Sequence, residues 1–325
     1  MRLLTHFVGL IYRLISFRLR TEPMTVHLKI SAGEKGWESI EFKELQASAS
    51  EWLGAGRVTA FTYRPDISVR EELRECSHYF YDPRTGYDYS DSPRKRRWEA
   101  YLRAIKIGLV CALRGITPIA YVTDFSQRDW RVPAFLATAH AGFIFCLMSV
   151  RSVPAHFLPH PRVAGPMPMA LSKKRAETLS LASSRNRPVL MSFSGSLYEP
   201  RKTFISQLKK KCLEKNHQFV VHGRKMGGQR RSDDLYWSDM QASTFVVSTA
   251  GQNLEDDLDF RDVKQMVYRY SEATLAGSCL IADIVLGVEQ YFEPGVDFVV
   301  AETPEAVVDV LDDFLRRPAH YLQIA

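Results

Sequence analysis

The sequence is sparing with cysteine. Its five residues of that type (Cys76, Cys111, Cys146, Cys212, Cys279) lie far apart, and none forms a Cys-x-x-Cys pair. That spacing argues against a disulfide framework or a zinc site, and Cys146 and Cys279 inside apolar runs read as buried free thiols of a reducing compartment. There is no internal repeat and no low-complexity tract, which excludes a repeat architecture. Long hydrophobic runs are also lacking. Residues 3–17 carry Leu3, Leu4, Phe7, Val8, Leu10, Ile11, Leu14, Ile15 and Phe17, but the stretch is too short, and too interrupted by Arg13, for a membrane-spanning helix. No small-residue cleavage site follows Arg18-Leu19-Arg20, so a signal peptide is not indicated either. What remains is helical spacing with arginines on the other side. Two readings stay open for residues 1–20: a basic amphipathic helix in a membrane interface, or a helix packed on the protein's own surface.

What is present is the composition of a folded soluble chain: 46% apolar and 25% charged residues over 325 positions. One core rarely grows beyond ~250–300 residues, so two domains are expected. The formal net charge is +6 and the sequence pI about 9.0. That balance suits partners bearing phosphate, whether nucleic acid, an anionic membrane surface or a phosphorylated small molecule, without choosing among them.

After a helix over residues 1–22, the pattern turns to short apolar runs alternating with helical stretches. Strands are predicted over 25–30, 57–63, 77–81, 116–123 and 143–149, with helices over 37–53, 93–114 and 131–142. The long helix is well signposted: Ser92 can cap it, Pro93 suits its first position, and Gly115 stops it. Residues 154–187 hold Pro154, Pro159, Pro161, Pro166 and Pro168, and they read as a linker between domains at 23–153 and 188–325. The second domain alternates more cleanly: strands at 188–193, 218–222, 244–248, 279–284 and 297–300, with helices at 200–213, 232–240, 262–276 and 304–315. Such alternation specifies an α/β fold of two Rossmann-like domains with parallel sheets covered on both faces.

In open parallel sheets, ligands bind outside the carboxyl ends of the strands. The first loop there is Phe193-Ser194-Gly195-Ser196, leading to Arg201-Lys202 at a helix start. Glycine permits the tight turn, while free amides and two cations suit a diphosphate; an exposed basic pair would look the same. The second is Ser248-Thr249-Ala250-Gly251, followed by the acidic run Glu255-Asp256-Asp257-Leu258-Asp259 and a helix carrying Arg269, Ser271 and Glu272. Arg269 and Glu272 are three apart and share a face. The carboxylate can accept two ribose hydroxyls and the arginine can serve a phosphate, or the two can form a surface ion pair.

The string Arg269-x-x-Glu272-Ala273-x-x-Ala276-Gly277-x-x-Leu280-Ile281, after a strand that ends in a glycine turn, resembles the donor-binding half of GT-B glycosyltransferases. It is most similar to the exostosin-like group. Phe193-Ser194-Gly195 with Arg201 fits the first strand and loop of the same half. The stretch Gly287–Asp297 and the helix starting Thr303-Pro304-Glu305 resemble spore-coat-maturation-type glycosyltransferases. Together these cover about residues 188–325.

The resemblance implies a GT-B architecture and transfer of a sugar from a nucleotide-sugar donor to a glycan or lipid-linked acceptor, with no cofactor beyond that co-substrate. Glu272 would bind the donor ribose and Arg201 and Arg269 the diphosphate, with Lys202 adding charge. Gly195, Gly251 and the backbone near Ser271 would line the pocket. Two departures stand out. Families with two glutamates eight apart require an acid where this chain has Lys264. Many relatives also continue past the point matching Ala325 with a segment that returns to the first domain, so truncation or weakened domain closure is left open.

Inverting transfer needs a base, for which Asp124 at a strand end is the candidate, ahead of His140 and His156. Retaining transfer would rest instead on electrostatic stabilisation of the departing diphosphate. Asp257-Leu258-Asp259 has the form of a metal-binding Asp-x-Asp, but it sits in a generally acidic loop between Rossmann elements, and metal-independent chemistry is expected. Arg94-Lys95-Arg96-Arg97-Trp98 admits a nucleic-acid reading, yet with Glu99 it continues as an amphipathic helix and reads as a solvated helix start. A nucleotide-sugar epimerase or hydrolase of the same fold, and a non-catalytic relative, are the remaining alternatives.

Overall fold

A computed structural model describes residues 26–32, 37–62, 67–84, 93–123, 128–149, 151, 162–168, 171–182, 187–224, 232–249 and 263–324. The helix expected over 1–22 lies outside them. The chain divides into two compact units, Met1–Ser172 and Lys173–Ala325.

The first unit runs β1 (Leu28–Ala32), α1 (Trp37–Leu53), β2 (Val58–Thr62), α2 (Val69–Glu72), β3 (His78–Tyr81), α3 (Pro93–Arg114), β4 (Thr117–Val122), α4 (Arg128–Thr138), β5 (Phe143–Cys146) and β6 (Val163–Ala164). The strands form one sheet in the order β2-β1-β3-β4-β5-β6, and every pair is parallel. α3 keeps its predicted bounds because its stop is a backbone requirement: Gly115 takes φ +67°, which L side chains rarely adopt. A buried carboxylate ties the layers together. Glu72 of α2 accepts from Ser31 Oγ of β1 at 3.1 Å, from Arg103 Nη2 of α3 at 2.9 Å, and from the Tyr79 hydroxyl of β3. A charge taken out of water is tolerated when partnered in this way.

α4 starts and ends earlier than the expected 131–142. The chain leaves the helix at Ala139, and the Gly142 amide turns back to the Thr138 carbonyl at 3.0 Å. The stretch 154–187, read as a linker, contains β6 and the helix α5 (Lys173–Ala182). Its prolines flank these short elements rather than interrupt them, and β6 needs only two residues to pair with Ile144 and Phe145.

The second unit continues from α5 with β7 (Val189–Ser196), α6 (Arg201–Glu214), β8 (Phe219–Arg224), α7 (Asp233–Gln241), β9 (Ser243–Ser248), α8 (Arg269–Leu275), β10 (Cys279–Ala282), β11 (Val299–Val300), α9 (Pro304–Arg316) and α10 (Pro318–Leu322). Its sheet order is β8-β7-β9-β10-β11, again all parallel. Alternation along the strands distributes two cores. Met191, Phe193, Phe245, Val247, Cys279 and Ile281 pack with Ile205 and Leu208 of α6 and Val307 and Leu311 of α9. Val246, Leu280 and Ala282 face the other way, against Met240 of α7 and Tyr270 and Ala273 of α8. The sheet is therefore covered on both faces.

Both units share the doubly wound strand order that opens 2-1-3-4-5. In the second unit the chain leaves β7 for one neighbour and reaches β9 on the other side. This reversal opens a crevice at the carboxyl ends of β7 and β9, where such sheets bind ligands.

The helix expected over 262–276 begins only at Arg269. Val263, Gln265 and Met266 are buried in non-helical conformation, so packing of these side chains overrides the helical pattern there.

Candidate functional site

The crevice of the second unit is bridged by two guanidinium groups, one from each face of the sheet. Arg201, the first residue of α6, reaches past the end of β7 to the residue after β9. Its Nε donates to Thr249 Oγ1 at 3.0 Å and its Nη2 to the Thr249 carbonyl at 3.1 Å, while Nη1 lies 3.4 Å from the Ser196 carbonyl. The Tyr198 ring lies 4.6 Å from its Cζ. Arg269, the first residue of α8, comes from the opposite side and donates from Nη2 to the Ser194 carbonyl near the end of β7. It packs over the Tyr236 ring at 5.4 Å, and its Nη1 is 3.9 Å from Glu272 Oε2.

The electrostatics of the two arginines differ. Arg269 keeps its charge firmly: burial works against it, but Tyr236, Glu272 and Tyr198 outweigh that and raise its pKa. Arg201 bonds to neutral oxygens, and no carboxylate among the described residues lies within ion-pair distance of it. Burial is the largest influence on its pKa and lowers it, with Tyr198 and Asp283 acting the other way and Arg269 adding to the fall. A partly buried cation with no carboxylate at ion-pair distance among the described residues favours an incoming anion.

Glu272 is positioned from outside its own helix. Tyr236 of α7 donates its hydroxyl to Glu272 Oε2 at 2.5 Å, which leaves the other carboxylate oxygen for a further donor. Gly195 stands directly under Arg269: a Cβ there would lie 3.1 Å from Nη2 and 3.2 Å from the Phe193 ring. The Ser194 hydroxyl is 4% exposed and has no hydrogen-bond partner among the described residues.

One expectation needs correction. Three of the first four amides of α6 are already bonded within the chain. Lys202 N donates to the Tyr198 carbonyl at 2.7 Å, Phe204 N to the Pro200 carbonyl at 3.1 Å, and Thr203 N to Glu199 Oε2 at 3.2 Å. Glu199 thus occupies the helix start that an external anion would use. The amides of Tyr270 and Ser271 are likewise bonded, to the carbonyls of Val267 and Tyr268. The cationic groups brought together at this crevice are the two guanidiniums.

Of the residues singled out in the sequence, Gly195, Arg201, Arg269 and Glu272 converge here. Lys202 is exposed and Ser271 half-buried beside them. Gly251, Asp124, His156 and the acidic run 255–259 lie outside the described residues. His140 is buried, with Nε2 3.2 Å from the Ile116 carbonyl. Lys264 is held between two carboxylates, Glu302 Oε1 at 2.6 Å and Asp283 Oδ2 at 3.6 Å. Thr249 and Tyr198 fall in the two loops picked out in the sequence without a role assigned to either, and Tyr236 carries no signal there. The aromatic content of Tyr198, three residues before Arg201, was a signal available there; Tyr236 and Thr249 are distant in sequence from the groups they hold.

The fold and the crevice define an α/β unit with a basic, carboxylate-flanked site at its topological switch point. Residues 201–325 match the model of a family described as glycosyl transferase-like, a segment that lies within the second unit from α6 onward. No curated protein matches the chain. Among solved structures, the chain is similar to HepE of Anabaena in complex with UDP, at 12% identity over 92% of each chain and a TM-score of 0.48. It is also similar to an α1,3-fucosyltransferase with GDP, at 12% identity over 98% of this chain and 87% of the other, with a TM-score of 0.45. Likeness at that distance does not carry function, which rests on the site's own residues and the family match.

Proposed function

We propose that the protein is a glycosyltransferase of the GT-B kind that takes a sugar from a nucleotide-sugar donor bound in the second unit. The observation that carries this reading is the pair of guanidiniums spanning the ends of β7 and β9, with Arg201 lacking a counter-ion among the described residues. It lies within a segment that matches a glycosyl transferase-like family. Arg201 and Arg269 hold the donor diphosphate and take up the charge that develops as it leaves. Glu272, set by Tyr236, accepts from the ribose hydroxyls. Gly195 allows the close approach, Gly251 and Ser271 line the pocket, and Lys202 adds positive potential at its mouth.

The acceptor is a glycan or lipid-linked saccharide met by the first unit, with Asp124 as the base if transfer inverts. The chemistry needs no metal and no cofactor besides the donor. The resemblance of Arg269–Ile281 and Gly287–Asp297 to exostosin-like and spore-maturation-type sequences supports a kinship with those groups. A location at a membrane surface, with residues 1–20 as one contact, belongs to the same reading.

Thermal unfolding with UDP, GDP, ADP and CMP tests the donor site. A nucleotide at 100 times its dissociation constant stabilises by about 2.7 kcal/mol. A shift with one nucleotide, absent in Glu272→Ala, supports the site and names its base. No shift with any of them removes the donor-binding reading.

A further inference from the structure

The outer side of α3 carries a line of exposed apolar side chains. The inner positions Ala100, Ala104, Ile107, Cys111 and Ala112 are buried. Trp98, Leu102, Ile105, Leu109 and Leu113 are exposed, Trp98 by 64% and Leu113 by 48%. Steps of three and four residues place these five on one face, along a 22-residue helix about 33 Å in length. Scattered exposed leucines need no explanation; a continuous row does.

The row's own helix is predominantly basic. It holds seven basic residues and a single acid, Glu99, which lies 3.9 Å from Lys95. Two of the seven are engaged by the protein itself: Arg103 turns inward onto Glu72, and the exposed Arg114 bonds to the carbonyls of Arg70 and Leu73. Lys95 and Arg97 are exposed at the Trp98 end, and exposed Lys106 lies four residues after Leu102 and three before Leu109, beside the row. No described helix is long and apolar enough to cross a membrane, so a lipid contact by α3 would be made lying flat.

We propose that this face of α3 docks on an anionic lipid surface, with the apolar row at the headgroup boundary and Lys95, Arg97 and Lys106 over the phosphates. Charge decides between occupants. Two copies joined along the row would bring the same cations together, whereas an anionic bilayer supplies opposite charge and an apolar layer in one partner. Trp98, amphipathic and at one end of the row, suits the interface. Nucleic acid would satisfy the cations and leave Leu102, Ile105, Leu109 and Leu113 in water.

The test is vesicle flotation of the full chain, with neutral phosphatidylcholine vesicles and with vesicles in which roughly one-third of the lipid is phosphatidylglycerol. The variants are Leu102→Gln/Leu109→Gln and Lys95→Glu/Lys106→Glu. All four positions are exposed, and unchanged thermal unfolding confirms that the fold is kept. The wild type is expected to bind anionic vesicles at least about tenfold more tightly than neutral ones, and each double variant to lose about tenfold, with added salt weakening the wild type. Wild-type affinity in both variants overturns the proposal, as does absence of binding by the wild type. So does loss of binding on deleting residues 1–20 while the α3 variants still bind fully. Light scattering that shows a wild-type dimer turned monomeric by Leu102→Gln/Leu109→Gln would instead assign the face to a second copy.

Discussion

Tyr236 and Glu272, 36 residues apart, meet through a hydroxyl-to-carboxylate hydrogen bond of 2.5 Å. The ring of the same tyrosine also lies against the Arg269 guanidinium. One side chain from α7 thus orients both charged groups that α8 presents to the crevice. Replacing Tyr236 by Phe keeps the ring and removes the bond. Nucleotide affinity should fall about tenfold, the value of one hydrogen bond to a charged group, with unfolding temperature little changed. Calorimetric titration beside a melting curve separates the two effects.

Arg201→Met should act in the opposite sense on stability and binding. It removes a partly buried cation that has no carboxylate partner among the described residues, so the unliganded protein should unfold within about 1 kcal/mol of wild type or slightly later. Nucleoside diphosphate affinity should drop about a hundredfold, and nucleoside affinity far less. Equal losses for diphosphate and nucleoside would take Arg201 out of the phosphate site.

The pH dependence of the second unit should be set in part by α9. His217 holds the Asp312 carboxyl below its usual range, Arg317 does the same for Asp313, and Lys211 for Glu305. Carboxyls depressed in the folded state contribute stability that is fully present above their unfolded values, about 3.9 for Asp and 4.3 for Glu, and is lost as pH falls through the lower folded values. Unfolding temperature should therefore decline below about pH 4. Asp312→Asn and Asp313→Asn should lower it at pH 7 and flatten that decline, as circular dichroism melts from neutral to acid pH would record.

All five thiols should be silent in the native protein. Burial pushes Cys146 and Cys279 up to about 12 and Cys76 and Cys212 to about 11, with Cys111 well above its ordinary value. Because the thiolate is the reactive form, a thiol reagent at pH 8 should label none of them until denaturant is added, and then all five. Rapid labelling of the native state would show that one of these sites opens.

The elements that the sequence announced are those whose cause is local. α3 has its proline start and its left-handed glycine stop, and β9 and β10 have uninterrupted apolar runs. β6, α5 and the late start of α8 depend on contacts instead: a two-residue pairing with β5 for β6, and for α8 the burial of Val263 and Met266. The candidate site divides in the same manner. Arg201, Arg269 and Glu272 stand out in the sequence because their setting resembles a family pattern, and the fold brings the three together. Glu199 capping α6 was missed because an acid followed by a proline reads as a turn, and only the folded chain turns its carboxylate onto Thr203.

Arg201 is aimed by Thr249, Arg269 by Ser194 and Glu272 by Tyr236, over 48, 75 and 36 residues of chain. None of these groups can be in place before β7, β9 and the helices around them have assembled. On the proposed function, nucleotide binding would report finished folding of this unit. A nascent chain halted before Arg269 would hold the Arg201–Thr249 contact but lack Arg269 and Glu272, and a ligand present during refolding would select completed molecules without hastening the steps that make them.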